Sequence, residues 1–163
     1  MATIGLARVD FRLIHGQVIT KWSRKADAKK IVIIDDLLFK DAFMSDIYVM
    51  AAPPGIPVKI YDVQTAVKEW KENQFGPDRI LLLFKNIDTA KRVVQGGIAL
   101  EELQIGGLGG GPGKVQVYKG IAVDKNDIED LKQISEHGTR VYFQMIPEDP
   151  TLSLEKALQN YNK

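Results

Sequence analysis

The segment Arg8-Val9-Asp10-Phe11-Arg12-Leu13-Ile14-His15-Gly16-Gln17-Val18 gathers two arginines, an aspartate and a histidine into one short stretch. A helical pattern opens directly after His15, with Val18, Ile19 and Trp22 near helical spacing. The backbone N–H groups of Gly16, Gln17 and Val18 then point at whatever His15 carries. Unpaired N–H groups and the positive end of the helix dipole favour an anion there, and Gly16 lets it approach closely. Arg12, three residues before His15, offers a planar fork for phosphate oxygens. Asp10 can orient that fork, or hydrogen-bond an imidazole nitrogen and fix its tautomer. An imidazole among anion-binding groups, without a cysteine or metal ligand set, suits a nucleophile that accepts a phosphoryl group on nitrogen. From the residues alone, a general base and a plain ligand contact stay open beside it.

Other candidates read more simply. Asp35-Asp36 could touch a metal or a ribose, but paired acids after a strand more often cap a helix. The run Gly106 to Gly113 is Gly-Gly-Leu-Gly-Gly-Gly-Pro-Gly. It carries neither a dinucleotide fingerprint nor a P-loop, since Val115 follows Gly113-Lys114 where Ser or Thr is needed. It reads as a tight connection, or as a backbone wall against a ligand or partner. Lys21, Arg24, Lys25, Lys29 and Lys30 form a basic run, which is a solvated helix face or a dock for an acidic partner. His137, before Gly138, reads as a helix-end residue.

Short apolar runs alternate with amphipathic stretches. Strands are expected at Thr3–Val9, Lys30–Ile34, Pro57–Tyr61, Arg79–Phe84, Glu102–Ile105 and Arg140–Met145, with one or two short strands in Val115–Val123. Helices are expected at Gly16–Ala26, Phe39–Ala51, Val63–Asn73, Thr89–Gly96, Asp124–His137 and Ser153–Tyr161. This order predicts an α/β fold: an open, mostly parallel twisted sheet with helices on both faces, as one domain over residues 1–163. In such sheets sites form beyond the carboxyl ends of the strands. That rule selects Asp10–Gly16, Asp35-Asp36, Lys85-Asn86 and the glycine run.

Length and composition narrow the function. The chain has 163 residues, 45% of them hydrophobic and 26% charged, enough for a packed core. Lys and Arg number 22 against 21 Asp and Glu, a net charge of +1, which argues against a nucleic-acid binder. No cysteine is present, so disulfides, thiol catalysis and thiolate metal sites are excluded. Neither a signal peptide nor a membrane span is recognisable, and a cytoplasmic protein is expected. No second acidic cluster or histidine pair supports a metal. No long apolar patch is evident, and a monomer is expected.

The segment Arg8 to Val18 resembles the signature A-R-[VI]-D-x-R-L-[IV]-H-G-Q-V of the IIB components of the mannose/fructose/sorbose family of the bacterial phosphoenolpyruvate-dependent sugar phosphotransferase system. The resemblance extends along the chain. Ala51-Ala52-Pro53-Pro54-Gly55 is similar to the family's A-P-P-G segment, and Leu82-Leu83-Phe84-Lys85-Asn86 to its L-L-F-x-N strand end. Gln95-Gly96-Gly97 is similar to V-x-G-G, and Gln104-Ile105-Gly106-Gly107 to N-[VI]-G-G. Lys85 departs from a position that is often Thr, and the glycine run after Gly107 is longer than in mannose-type members. The resemblance implies a relay without cofactor or metal. A phosphohistidine on a IIA partner passes its phosphoryl group to Nδ1 of His15, which passes it to a sugar held by membrane components IIC and IID. It also implies a cytoplasmic chain held at the membrane by those components. Arg12 is then the phosphate clamp, supported by Arg8 and Asp10, with the amides of Gly16 and Gln17 completing the cradle. Asp35, Lys85, Asn86, Gly106 and Gly107 are expected around it. A nucleotide- or cofactor-binding protein, and a regulatory or ligand-binding α/β module of the same fold without transfer, are the alternatives.

Overall fold

The computed structural model describes residues 4–163; Thr3, expected to open the first strand, lies outside them. The apolar runs form strands β1 (Ile4–Val9), β2 (Lys30–Ile34), β3 (Val58–Tyr61), β4 (Ile80–Phe84), β5 (Glu102–Ile105), β6 (Val115–Tyr118), β7 (Ile121–Val123), β8 (Arg140–Phe143) and β9 (Leu152–Ser153). The helices are α1 (Gly16–Lys25), α2 (Asp36–Lys40), α3 (Ala42–Met50), α4 (Val63–Asn73), α5 (Ile87–Gln95), α6 (Lys125–Glu136) and α7 (Leu154–Tyr161).

One seven-stranded sheet has the order β3-β2-β4-β1-β5-β8-β9. All its pairings are parallel except β8 with β9, and β6 and β7 form a separate antiparallel hairpin. This is the mostly parallel α/β sheet expected from the sequence. Buried side chains of the central strands alternate between two cores, one on each face. Ile31, Ile33, Leu81 and Leu83 pack with Ile19 and Trp22 of α1. Val32, Ile34, Leu82 and Phe84 pack with residues of α4, α5 and α6. Continuous apolar runs are what burial on both faces requires.

Strands β1 and β4 are neighbours in register, Val9 beside Phe84. The chain leaves β1 for α1 on one face and β4 for α5 on the other. In sheets of this kind ligands bind beyond the carboxyl ends of the strands where the following helices diverge in this way.

The helix expected over Phe39–Ala51 is two helices. Asp41 breaks it, because its side chain accepts from the N–H of Met44 at 3.0 Å and starts α3 anew. No residue of α3 is buried. Leu37, Phe43 and Met50 are 81%, 74% and 83% exposed, so the expectation of a surface without an apolar patch is corrected here. A residue pattern shows which side chains share a helix face but not whether another element covers that face. No helix among the described residues is long and apolar enough to cross a membrane.

Candidate functional site

The segment after β1 is pinned from below. Leu13 donates its N–H to the carbonyl of Asp10 at 3.0 Å, and its φ of 56° is left-handed, a conformation that costs an L residue about 1–2 kcal/mol. The side chains of Leu13 and Ile14 repay this by burial in the α1-side core. With those two directed inward, Phe11, Arg12 and His15 stay at the surface or partly exposed. His15 is the N-cap residue of α1, with extended backbone at φ −153° and ψ 131°, and Gly16 follows at φ 50°. Gln17 continues the first turn.

The start of α1 differs from that of every other described helix. Asp35, Asp41, Asp62, Asn86, Asp124 and Ser153 each place a side-chain oxygen on the first turn of the helix they precede. His15 makes no such bond. Among the described residues the N–H groups beside the imidazole therefore have no side-chain cap, which suits them to an anion.

Asp10 is buried, 1% exposed, and holds both arginines. It accepts from Nη2 of Arg8 at 3.1 Å, from the main-chain N–H of Arg12 at 3.1 Å and from Nε of Arg12 at 3.3 Å. The N–H of Gly107 approaches it at 3.4 Å. Burial opposes its charge, but the hydrogen bonds from Arg12 and the fields of both arginines outweigh burial and hold it below the usual carboxylate range. Arg12 remains partly exposed, its side chain at 37%.

Arg8 is buried and fully engaged. Besides Asp10 it donates to Oε1 of Gln104, to the carbonyl of Gln144 at 2.9 Å and to the carbonyl of Met145 at 2.9 Å. Its guanidinium lies 4.8 Å from the ring centroid of Trp22. Burial pushes its pKa down, against the pull of Asp10. The glycines after β5 follow from these arginines. A Cβ at Gly106 would fall on the Arg8 guanidinium, and one at Gly107 would lie 3.0 Å from Nη2 of Arg12. At Gly109 and Gly110 a Cβ would meet nothing within 4 Å, so only the first two glycines of the run are required by packing against the arginines.

Nδ1 of His15 faces the carbonyl of Leu13 at 3.4 Å, and Nε2 is buried without a hydrogen-bond partner among the described residues. Burial lowers the imidazole pKa most. Asp10 opposes that, and Arg12 and Arg8 add to it. The ring is thus neutral near pH 7 and keeps one nitrogen lone pair.

The structure brings together Arg8, Asp10, Arg12, His15, Gly16, Gly106 and Gly107. Asp35 and Asn86 are engaged as caps, accepting from the N–H of Leu38 and of Thr89, each at 2.9 Å. Asp36 accepts from the N–H of Val63 and from Arg92. Lys85 is exposed and lines, with Leu13, Asp35 and Leu37, a hollow of about 130 Å³. Within the basic run, Lys21 pairs with Glu148 and Lys29 with Asp27. The ring of His137 meets the Gln133 carbonyl at the end of α6. Four contributors to the hold on Arg8 were not read as site residues in the sequence: Gln104, Gln144, Met145 and the indole of Trp22. Gln104 left one signal, as a polar residue in an otherwise apolar strand end. The Gln144 and Met145 carbonyls left none, since backbone groups carry no residue type. No group of three or more potential metal-ligand side chains converges among the described residues.

Comparison with known proteins places the chain in a family. Residues 4–163 match the family model of the PTS system sorbose subfamily IIB component. The chain is 36% identical over 148 residues to the sorbose-specific EIIB component of Lacticaseibacillus casei, covering 91% of this chain and 90% of that protein. It is 31% identical over 160 residues to the mannose-specific EIIAB component of Escherichia coli K12, covering 98% of this chain but only 50% of that protein. The chain thus spans half the length of those mannose-specific relatives. The solved structure of manxB from Thermoanaerobacter tengcongensis superposes with a TM-score of 0.92 at 40% identity, covering 100% of this chain and 99% of that one. The chain belongs to the sorbose subfamily of the IIB components of the sugar phosphotransferase system.

Proposed function

We propose that the chain, acting as one IIB unit over residues 1–163, is a phosphocarrier in which His15 takes a phosphoryl group from a phosphohistidine of a IIA partner and delivers it to a sugar hydroxyl. The observation that carries this reading is the uncapped start of α1 at His15, beside a guanidinium fork that Asp10 holds in place.

In the first step the donor's P–N bond breaks as a P–N bond to His15 forms, with the transferring group in line between the two rings. The three equatorial oxygens carry the charge of a loose transition state. Arg12 and the N–H groups of Gly16 and Gln17 meet that charge without reorganisation. The neutral imidazole attacks without first losing a proton. In the present ring orientation Nδ1 faces the Leu13 carbonyl. Attack through Nδ1, which the family resemblance implies, gives up that long contact, a small loss at 3.4 Å. In the second step the P–N bond to His15 breaks, a P–O bond to the sugar forms, and the hydroxyl proton leaves to a base at the sugar site. The sugar sits on membrane components IIC and IID, which hold the chain at the membrane surface. Lys85 and the exposed glycines after Gly107 face the partners.

Incubation with phosphoenolpyruvate, the general phosphotransfer proteins and a mannose-family IIA, followed by intact-mass measurement, tests this. The expected result is a gain of one phosphoryl group that is stable at neutral pH and lost in acid. No gain from a IIA that is itself phosphorylated, repeated with a second candidate IIA, contradicts it.

A further inference from the structure

Gln104 is 0% exposed in β5, between Leu103 and Ile105, both also buried. It sits beside Arg8 on one neighbouring strand and beside Tyr142 on the other. Leu103 and Ile105 point to the opposite face of the sheet, so Gln104 shares its own face with Arg8 and Tyr142. The amide has both ends committed. Its Oε1 accepts from Nη1 of Arg8, and its Nε2 donates to Oε1 of Gln144 at 3.1 Å. Nε2 of Gln144 donates in turn to the carbonyl of Asp149 at 2.9 Å. Donation runs from Arg8 through Gln104 and Gln144 to the carbonyl of Asp149, while on its other side Arg8 donates to Asp10, which also accepts from Arg12. Turning the Gln104 amide over would set its N–H groups against the Arg8 guanidinium. Buried polar series of this kind specify one arrangement when every member is satisfied.

We propose that Gln104 is a positioning residue for the phosphoryl site: it fixes the buried Arg8 guanidinium, and through Arg8 and Asp10 it fixes the orientation of the Arg12 fork. This rests on the reading of His15 and Arg12 given above. Arg8 cannot reach solvent and has no anionic partner except Asp10 among the described residues. Without the Gln104 oxygen its Nη1 retains a single acceptor, the Gln144 carbonyl. The guanidinium then moves towards Asp10 and draws that carboxylate away from Nε of Arg12. Arg12 keeps its charge but loses its aim. Binding of the donor protein depends on a broad surface and stays constant, whereas the in-line step requires the fork in place.

The test compares wild type with Gln104→Leu, with Gln104→Met as an unbranched apolar second variant should the first not fold, and with Gln104→Asn, which keeps the amide. Two readouts are used: kcat and KM for phosphoryl uptake from a phosphorylated IIA, and the NMR titration of His15 in the unphosphorylated protein. The proposal expects the apolar variants to lose about tenfold or more in kcat with KM within about twofold, and Gln104→Asn to recover part of the loss. It expects the His15 midpoint to rise in the apolar variants, because Arg12, which lowers it, is released while Asp10, which raises it, stays near. A His15 midpoint unchanged in the folded apolar variants overturns the proposal, as does a loss confined to KM. The titration needs no phosphoryl transfer. Failure of wild type to take up phosphate would reject the phosphocarrier reading while the titration still decides the role of Gln104.

Discussion

A single oxygen of Asp10, Oδ1, accepts both the main-chain N–H of Arg12 at 3.1 Å and its side-chain Nε at 3.3 Å. One buried carboxylate thereby fixes where the Arg12 backbone turns and where its guanidinium points. The other oxygen, Oδ2, takes Nη2 of Arg8. Two cations share one anion, and the net positive charge that remains sits beside His15.

Arg12→Lys is expected to cut the rate of phosphoryl uptake by about 10²-fold, because a point charge does not replace a planar fork held by Asp10. Stability should move little, since Arg12 is partly exposed. Initial rates with a phosphorylated IIA, beside a denaturant melt, check both halves.

Asp10→Asn leaves Arg8 buried without its anionic partner. Breaking a buried pair from one side costs about 3–5 kcal/mol. Urea unfolding should show a lower midpoint with little change in slope. A variant as stable as wild type would contradict the role given to this pair.

Gly106→Ala and Gly109→Ala separate the two parts of the glycine run. The first places a methyl group on the Arg8 guanidinium and should cost about 1–3 kcal/mol by overpacking. The second meets open space and should change stability by no more than about 0.5 kcal/mol. Thermal melts of both variants against wild type test the contrast.

The pH dependence has two expected components. Asp10 titrates below its ordinary 3.8 in the folded chain. It therefore stabilises the fold fully above that value, and the contribution is lost as pH falls through 3.8 towards the folded midpoint, where the unfolded chain binds the proton first. His15 titrates below its ordinary 6.5. The unfolded chain takes that proton first as pH falls below 6.5, which removes further stability. Uptake of phosphate by the neutral ring should stay flat above 6.5 and fall only below it. An NMR midpoint for His15 above 6.5 would contradict the lowered value.

Much of the scaffold was legible because strands buried on both faces leave continuous apolar runs, as at Ile31–Ile34 and Ile80–Phe84. Helix starts were legible where a capping residue stood at a boundary, as at Asp124. The break at Asp41 was not, since the apolar pattern of Phe39–Ala51 runs through it and the cap acts only once the chain has turned. The exposed stripe of α3 was hidden for a related reason: residue type does not reveal what lies opposite. At the candidate site, the grouping of Arg12 and His15 was legible from residue chemistry and spacing. The position of Gly106 against Arg8 was not, because it joins the ends of β1 and β5, strands far apart in sequence. The hold of the Gln144 and Met145 carbonyls on Arg8 was beyond any residue pattern.

The most direct test of the central claim is phosphoryl uptake by wild type and His15→Ala side by side, from the same phosphorylated IIA, read by intact mass and by peptide mapping at neutral pH. The account predicts one acid-labile phosphoryl group on wild type, localised to His15, and none on the variant. A His15→Ala protein that still takes up the group on nitrogen would contradict it.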